Sequence, residues 1–359
     1  MATATPSASI SQLDVDDLRE KVRHVYRAVA RHPQDEHFHF EVGRALAARL
    51  GYPAEDLDLL PEAALESFAG VGYYFDLAEF QPGETVIDLG SGSGTDAFVA
   101  ALHVGHTGRV VGIDMTDGQL EKARRLARTG GFVQVEFRES VVEAVPVDDG
   151  VADCVISNGV INLCPDKRKV FAEAARVLRP GGRLVLADIV TDLQFPSDIT
   201  CNATLWAACI GGAAQRDEYR AAIEAAGFRV ITVRENPAYS FLSTSAQNAG
   251  RDYGVRSISL LAVKEAVPAD TLDAYGLSCG RLEPLIAQRL RALAPGQVLE
   301  IRSDRPEARD GIWSWVWLTG HALIAVEDDG PPRARYYVKK KEHVPSDASA
   351  QTSDGKQEE

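Results

Sequence analysis

Positive charge is short in this chain: 38 Lys and Arg stand against 52 Asp and Glu, a formal net charge of −14 over 359 residues. That balance argues against a nucleic-acid or anionic-membrane partner, because no basic field offsets the phosphates, and it leaves small or cationic ligands open. Long apolar runs are also missing. None approaches the roughly 18 residues of a bilayer span, and Met1-Ala2-Thr3-Ala4-Thr5-Pro6 has neither the charged nor the apolar region of a secretory leader. A cytoplasmic location is therefore the expectation. Cysteine is scarce, and Cys154, Cys164, Cys201, Cys209 and Cys279 form no Cys-x-x-Cys pair, so reduced thiols are expected and a metal site is not. No internal repeat is visible. What remains, 45% hydrophobic and 25% charged residues, is ordinary globular composition with length for two domains.

The most informative stretch runs from Thr85 to Thr116. Val86-Ile87-Asp88-Leu89-Gly90-Ser91-Gly92-Ser93-Gly94 reads as a buried strand feeding a glycine turn, and Val110-Val111-Gly112-Ile113-Asp114 as a second strand ending in a carboxylate. This is the pattern of a nucleoside-cofactor site. Gly92-Ser93-Gly94-Thr95-Asp96-Ala97, with Asp114 about 20 residues on, also fits the permissive dinucleotide fingerprint. Charge separates the two ligands. A pyrophosphate on the helix N-terminus would meet the Asp88 carboxylate in a partly desolvated crevice. S-adenosylmethionine (SAM) instead presents a sulfonium and an ammonium, so Asp88 favours SAM over NAD, and Asp114 can accept from the ribose diol of either.

Strand-like runs at 85–88, 109–113, 133–138, 152–157 and 183–187 alternate with helical stretches, and further runs at 229–234 and 255–263 complete the series, the last as an antiparallel insertion. The expected fold is α/β: a doubly wound, mostly parallel seven-stranded sheet with its ligand outside the strands' carboxyl ends. Residues 1–60 are expected to form a helical cap, with an amphipathic helix from Asp14 to His32 and a connector from Pro53 to Ala64. Residues 61–265 form the cofactor domain, 268–342 a small two-layer α/β domain, and 343–359 a disordered acidic tail. Within the small domain the reading places a helix at 284–293, strands at 298–303 and 335–338, and Trp313 and Trp317, four apart, packing a second helix or docking the two domains.

Other residues are candidates for chemistry. Glu139 and Ser140 follow the third strand, where an adenine ring would lie. Ser157-Asn158-Gly159 follows the fourth, and the Asn158 amide can position a ligand. The segment 204–214 can roof an acceptor pocket and holds Cys209, a thiol whose plain alternative is a small core residue. His37, His39 and Glu41 offer bases without a decisive arrangement, and no catalytic side chain is identifiable beyond the candidates Cys209 and Cys279.

Taken together, Val86 to Gly94, Gly112-Ile113-Asp114-Met115-Thr116, Ser157 to Leu163 with Pro165-Asp166-Lys167, and Cys209-Ile210-Gly211-Gly212-Ala213 resemble the arsenite methyltransferase branch of class I SAM-dependent methyltransferases, over roughly residues 67–228. The resemblance implies SAM as cofactor, with cofactor-binding candidates Asp88, Gly90, Ser91, Gly92, Gly94, Asp114, Met115, Gln119, Glu139, Ser140 and Asn158. It also exposes a departure. That branch holds trivalent arsenic on cysteine thiolates, one in the loop before the first strand and one inside a Ser-Asn-Cys-Val-Ile-Asn-Leu motif. Those positions hold Val71 and Gly159 here, leaving Cys209 of the set, with Cys164 nearby in sequence. Arsenite is disfavoured as a substrate on that ground.

The C-terminal block, with Leu272 to Cys279, Pro295 to Asp304 and Thr319-Gly320-His321, resembles a TusA-type sulfur-carrier domain. That implies a β-α-β-α-β-β order with Cys279 as the sulfur-carrying thiol, although Cys279-Gly280-Arg281-Leu282 stands in place of Cys-Pro-x-Pro. The leading expectation is a SAM-dependent methyltransferase acting on a small molecule at sulfur or another soft atom, with a sulfur-transfer protein as a partner. The alternatives are a sulfur-relay or sensing protein using Cys279, whose SAM domain does not turn over, and a nicotinamide oxidoreductase.

Overall fold

The computed structural model describes residues 14–33, 38, 40–200, 206, 211–242 and 244–341. His37, His39, Cys201, Cys209 and the acidic tail lie outside the described residues. The chain divides into two compact units, 1–265 and 266–359. Among the described residues no helix is long and apolar enough to cross a membrane.

Before the first strand, the first unit holds α1 (Val15–Arg31), α2 (Arg44–Leu50), α3 (Ala54–Leu57), α4 (Glu62–Glu66) and α5 (Phe75–Ala78). Asp14 caps α1, its carboxylate accepting from the backbone N–H groups of Asp16 and Asp17. The stretch 53–64, expected as a connector, instead forms α3 and the start of α4. Pro53 and Pro61 stand just ahead of each helix, where the missing N–H costs nothing. The alternating core then runs β1 (Thr85–Leu89), α6 (Thr95–Val104), β2 (Arg109–Asp114), α7 (Asp117–Gly130), β3 (Val135–Glu139), β4 (Ala152–Asn158), α8 (Lys167–Val177), β5 (Leu178–Thr191), α9 (Ser197–Thr200), β6 (Ala214–Gln215), α10 (Arg216–Ala225), β7 (Phe228–Glu235), α11 (Thr244–Tyr253) and β8 (Arg256–Lys264).

The strand order is β3-β2-β1-β4-β5-β8-β7, with the two-residue β6 beside the end of β5 as an eighth, unforeseen strand. β8 is antiparallel to both β5 and β7, as its position in the sequence suggested. Apolar side chains on both faces of the sheet build two cores, one with Val86, Phe98 and Ile156, the other with Ile87, Phe171 and Tyr219. Such two-sided burial is why the parallel strands read as continuous apolar runs. β1 pairs with β2 on one side and β4 on the other, so the strand order reverses there and a crevice opens at the carboxyl ends.

The second unit runs β9 (Asp270–Asp273), α12 (Cys279–Ala292), β10 (Val298–Ser303), α13 (Ala308–Thr319), β11 (Ala322–Asp328) and β12 (Ala334–Lys339), with sheet order β11-β12-β10-β9. α12 begins at Cys279 rather than at 284. Pro284 forfeits only a bond to Gly280 in the opening turns. Trp313 and Trp317 do not pack the second helix: they are 60% and 73% exposed. Its buried face is Ala308, Ile312 and Val316, a spacing of four that turns their immediate neighbours in sequence to solvent.

Candidate functional site

The crevice at the end of β1 is built first by glycine. Gly90 and Ser91 both donate their backbone N–H to the Ile113 carbonyl, at 2.7 and 3.0 Å, folding the loop back over β2. A side chain at Gly90 would collide with Val160, and its φ of +77° is left-handed, so only glycine fits. Gly94 serves the turn rather than the cleft, since a Cβ there would press on Phe98 and Phe137.

Asp88 stands at this opening, 1% exposed. Its Oδ2 has no hydrogen-bond partner among the described residues. Burial pushes its carboxyl well above the usual carboxylate range, and the neighbouring acids Asp96 and Asp114 add to the rise. A buried carboxylate left unpartnered is costly unless a cation arrives. Asp114 is differently used: Oδ2 accepts from Gly92 N–H at 2.9 Å and Oδ1 from Thr116 N–H at 2.8 Å, leaving lone pairs toward the cleft. Met115, Ser91, Gly92 and Ser140 line the same cleft. Glu139 lies at the exposed end of β3 and is not part of the lining.

Asp96 is the residue that reading the sequence for ligands missed. It accepts from Tyr52 OH at 2.7 Å, Tyr74 OH at 2.8 Å and Asn158 Nδ2 at 3.0 Å. Burial still raises its pKa despite the three donors. The available signal was an acid in the first helical turn directly behind the glycines. The same network gives Asn158 a structural role as well. Its Nδ2 also reaches Gly72 O and Tyr52 OH, and its Oδ1 accepts from Val71 N–H at 2.7 Å. The Asn158 amide, which also lines the cleft, thus holds the loop before β1 against β4. Gln119 is likewise engaged within the protein, through Ser93 Oγ and the Tyr26 carbonyl.

The far wall of the cleft includes Phe68, Ala69, Gly70, Gly159, Val160, Leu163 and Cys164. Val71 and Gly159, remote in sequence, meet here: a Cβ on Gly159 would lie 3.0 Å from Val71 Cγ1 and 3.8 Å from its Cβ. Cys164 is buried, which pushes its thiol well up, so it is protonated and a poor thiolate ligand. Cys154 sits inside the sheet with its pKa pushed up to about 12. Lys167 donates to the carbonyls of Cys164 and Asn162 and lies 5.0 Å from the Trp206 ring centre, closing the loop from above. No cluster of three metal-ligating groups occurs among the described residues.

Behind the cleft, Asp188 on β5 accepts from Tyr219 OH at 2.6 Å and from the backbone N–H groups of Ile189 and Asn162, fixing the turn that follows β4. Burial raises its pKa to about 6. A raised carboxyl pKa gives stability that is complete below the unfolded value and is lost as pH rises through the folded one. The protein should therefore lose on the order of 1–3 kcal/mol from this group between about pH 4 and pH 7. Thermal melts of Asp188→Asn across that range should show the slope flattened, and an unchanged slope would refute the assignment.

A "Methyltransferase domain" family model matches residues 80–227 and "Sulfurtransferase TusA" matches 270–340. The chain is 35% identical over 266 residues to the arsenite methyltransferase of Halobacterium salinarum, covering 70% of this chain and 67% of that one. It is 40% identical over 159 residues to the human arsenite methyltransferase, covering 41% of this chain and 42% of that one. The chain thus spans two thirds of the first relative and under half of the second. A solved geranyl diphosphate methyltransferase, 22% identical, shares the fold with a TM-score of 0.51, over 69% of this chain and 99% of that one.

Proposed function

Because the chain belongs to the arsenite methyltransferase family and is a SAM-dependent methyltransferase, we propose that it methylates a soft atom, sulfur foremost, of a small-molecule acceptor other than arsenite. The cleft suits its cofactor. Asp88, with its unpartnered Oδ2, would hold the ammonium end, Asp114 the ribose hydroxyls, and the loop Gly90-Ser91-Gly92 the close approach of the nucleoside. When bound, SAM supplies an electrophilic methyl group on a sulfonium.

The observation that carries the acceptor class is that, apart from Asp88 and Asp114, which the cofactor would occupy, no free base lines the cleft among the described residues. Among the described lining residues there is no histidine or lysine. Asp96 already accepts from three donors, and Glu143 is paired with Arg19 at 3.4 Å. In-line displacement by a soft nucleophile needs positioning and water exclusion rather than proton abstraction. The wall of Phe68, Val160 and Leu163 supports exclusion, and the Val71 and Gly159 pair supplies no thiolate to arsenic. The test is to incubate the protein with labelled SAM and a panel of thiols, persulfides and arsenite. Methyl transfer to thiols or persulfides is expected, and transfer confined to arsenite or to oxygen acceptors would overturn the reading.

A second reading rests on the TusA match and on Cys279 standing at the start of α12. In it the C-terminal unit carries sulfur, exchanged with a sulfur-transfer partner, and the SAM domain does not turn over. A persulfide on Cys279 without any methyl transfer would favour it.

A further inference from the structure

We propose that Gln119 couples cofactor binding to the docking of α1, making that helix a lid that SAM locks down. Arg19, Val22 and Tyr26 of α1 line the cleft, at spacings of three and four that put them on one helical face. The helix is held very differently at its two ends. Its last turn has carbonyls without helical partners, and the core supplies them: Ser67 Oγ donates to Val29 O at 3.1 Å, and Lys122 Nζ to Ala30 O at 3.2 Å and to Ser67 Oγ at 2.7 Å. Lys122 is buried, and burial lowers its pKa. The amino-terminal half has a lighter attachment. Beyond the apolar contacts of Leu18 and Val22, the ion pair Arg19–Glu143 at 3.4 Å joins it to the loop after β3. The carboxyl end is thus a hinge and the amino end a latch.

Gln119, 1% exposed, stands between α1 and the glycine loop. Its Oε1 accepts from Ser93 Oγ in the glycine loop, and its Nε2 donates to Tyr26 O of α1 at 2.9 Å. One amide, engaged at both ends, connects the glycine loop to the helix that covers the cleft. Whatever orders Ser93 therefore orders Tyr26, and by linkage the reverse also holds: a docked α1 favours the loop geometry that binds cofactor. Gln119 is a positioning residue acting through Ser93 and Tyr26 while also lining the cleft. This role depends on SAM as cofactor and is independent of the acceptor.

Hydrogen exchange on the full chain, with S-adenosylhomocysteine as the probe, tests the coupling. In the wild type the probe should slow exchange over residues 15–31 as well as in β1 and β2. In Gln119→Leu the affinity should fall roughly tenfold, and protection should persist in the strands but no longer reach 15–31. Arg19→Ala, at a half-buried position, should raise the dissociation rate several-fold and lose the induced protection over 15–22 alone. Unchanged affinity with full α1 protection in Gln119→Leu would overturn the proposal. Should that variant not fold, an unaltered dissociation rate and exchange pattern in Arg19→Ala would overturn it instead.

Discussion

Replacing Asp88 by Asn is expected to weaken SAM binding about 100-fold while making the ligand-free protein more stable. Removing one partner of a desolvated charge pair costs a few kcal/mol of binding, and ~3 kcal/mol is roughly two orders of magnitude in Kd. Without the cation, the same carboxylate is buried with an unpartnered oxygen and two acids close by, so neutralising it relieves a cost. Melting temperature without ligand should rise by a few degrees for each 1–2 kcal/mol relieved. The sign of the pH dependence follows. Asp88 has a raised pKa in the ligand-free fold, so stability without ligand falls as pH rises through that value, whereas cationic ligand favours the ionised form and binds more tightly as pH rises. Calorimetric titration across pH should show the slope in the wild type and none in Asp88→Asn. Wild-type affinity in the variant would defeat the electrostatic account of the cleft.

The second large effect is a gain of function. The pair Val71→Cys and Gly159→Cys is expected to bind trivalent arsenic under reducing conditions, where the wild type does not. The Cβ separation of 3.8 Å is that of bonded cysteines, so the same double variant should close a disulfide when oxidised. The two changes should not add. Gly159→Cys alone puts a Cβ 3.0 Å from Val71 Cγ1 at a φ of +70°, costing ~1–2 kcal/mol in backbone strain besides the crowding. Shortening Val71 to Cys removes the Cγ1 contact and recovers part of the loss, a coupling that a double-mutant cycle measures. Melting curves of the four proteins, with mass-detected arsenic in the dialysed samples, decide the matter. Absence of arsenic on the reduced double variant would show that this wall is not where the family's thiolates lie.

The elements that the sequence made legible are those with a strong period or a fixed turn chemistry. β1, β2, β4 and β10 fall within a residue of the expected bounds, because each is an unbroken apolar or alternating run closed by glycine, an acid or a polar turn. Helix ends were less legible. α12 starts five residues before the expected proline, because Pro284 costs the helix one bond, to Gly280, without breaking it. Trp313 and Trp317 misled because their own spacing is helical, yet the apolar face of α13 falls on a different set of residues.

Residue types and their order determined by themselves that this chain makes a doubly wound sheet, with glycines directly behind an acid at the end of its first strand. These are local properties of strands, turns and carboxylates, so adjacency in sequence suffices to express them. Tertiary structure alone decided which polar groups remain to be used. Asn158 and Gln119 have the amides that ligand sites favour, and each is engaged by partners distant in the chain, while Asp88 keeps an oxygen unclaimed. The meeting of Val71 and Gly159 is of the same kind: hydrogen-bond saturation and contact depend on which segments fold against one another, and no spacing along the chain encodes that.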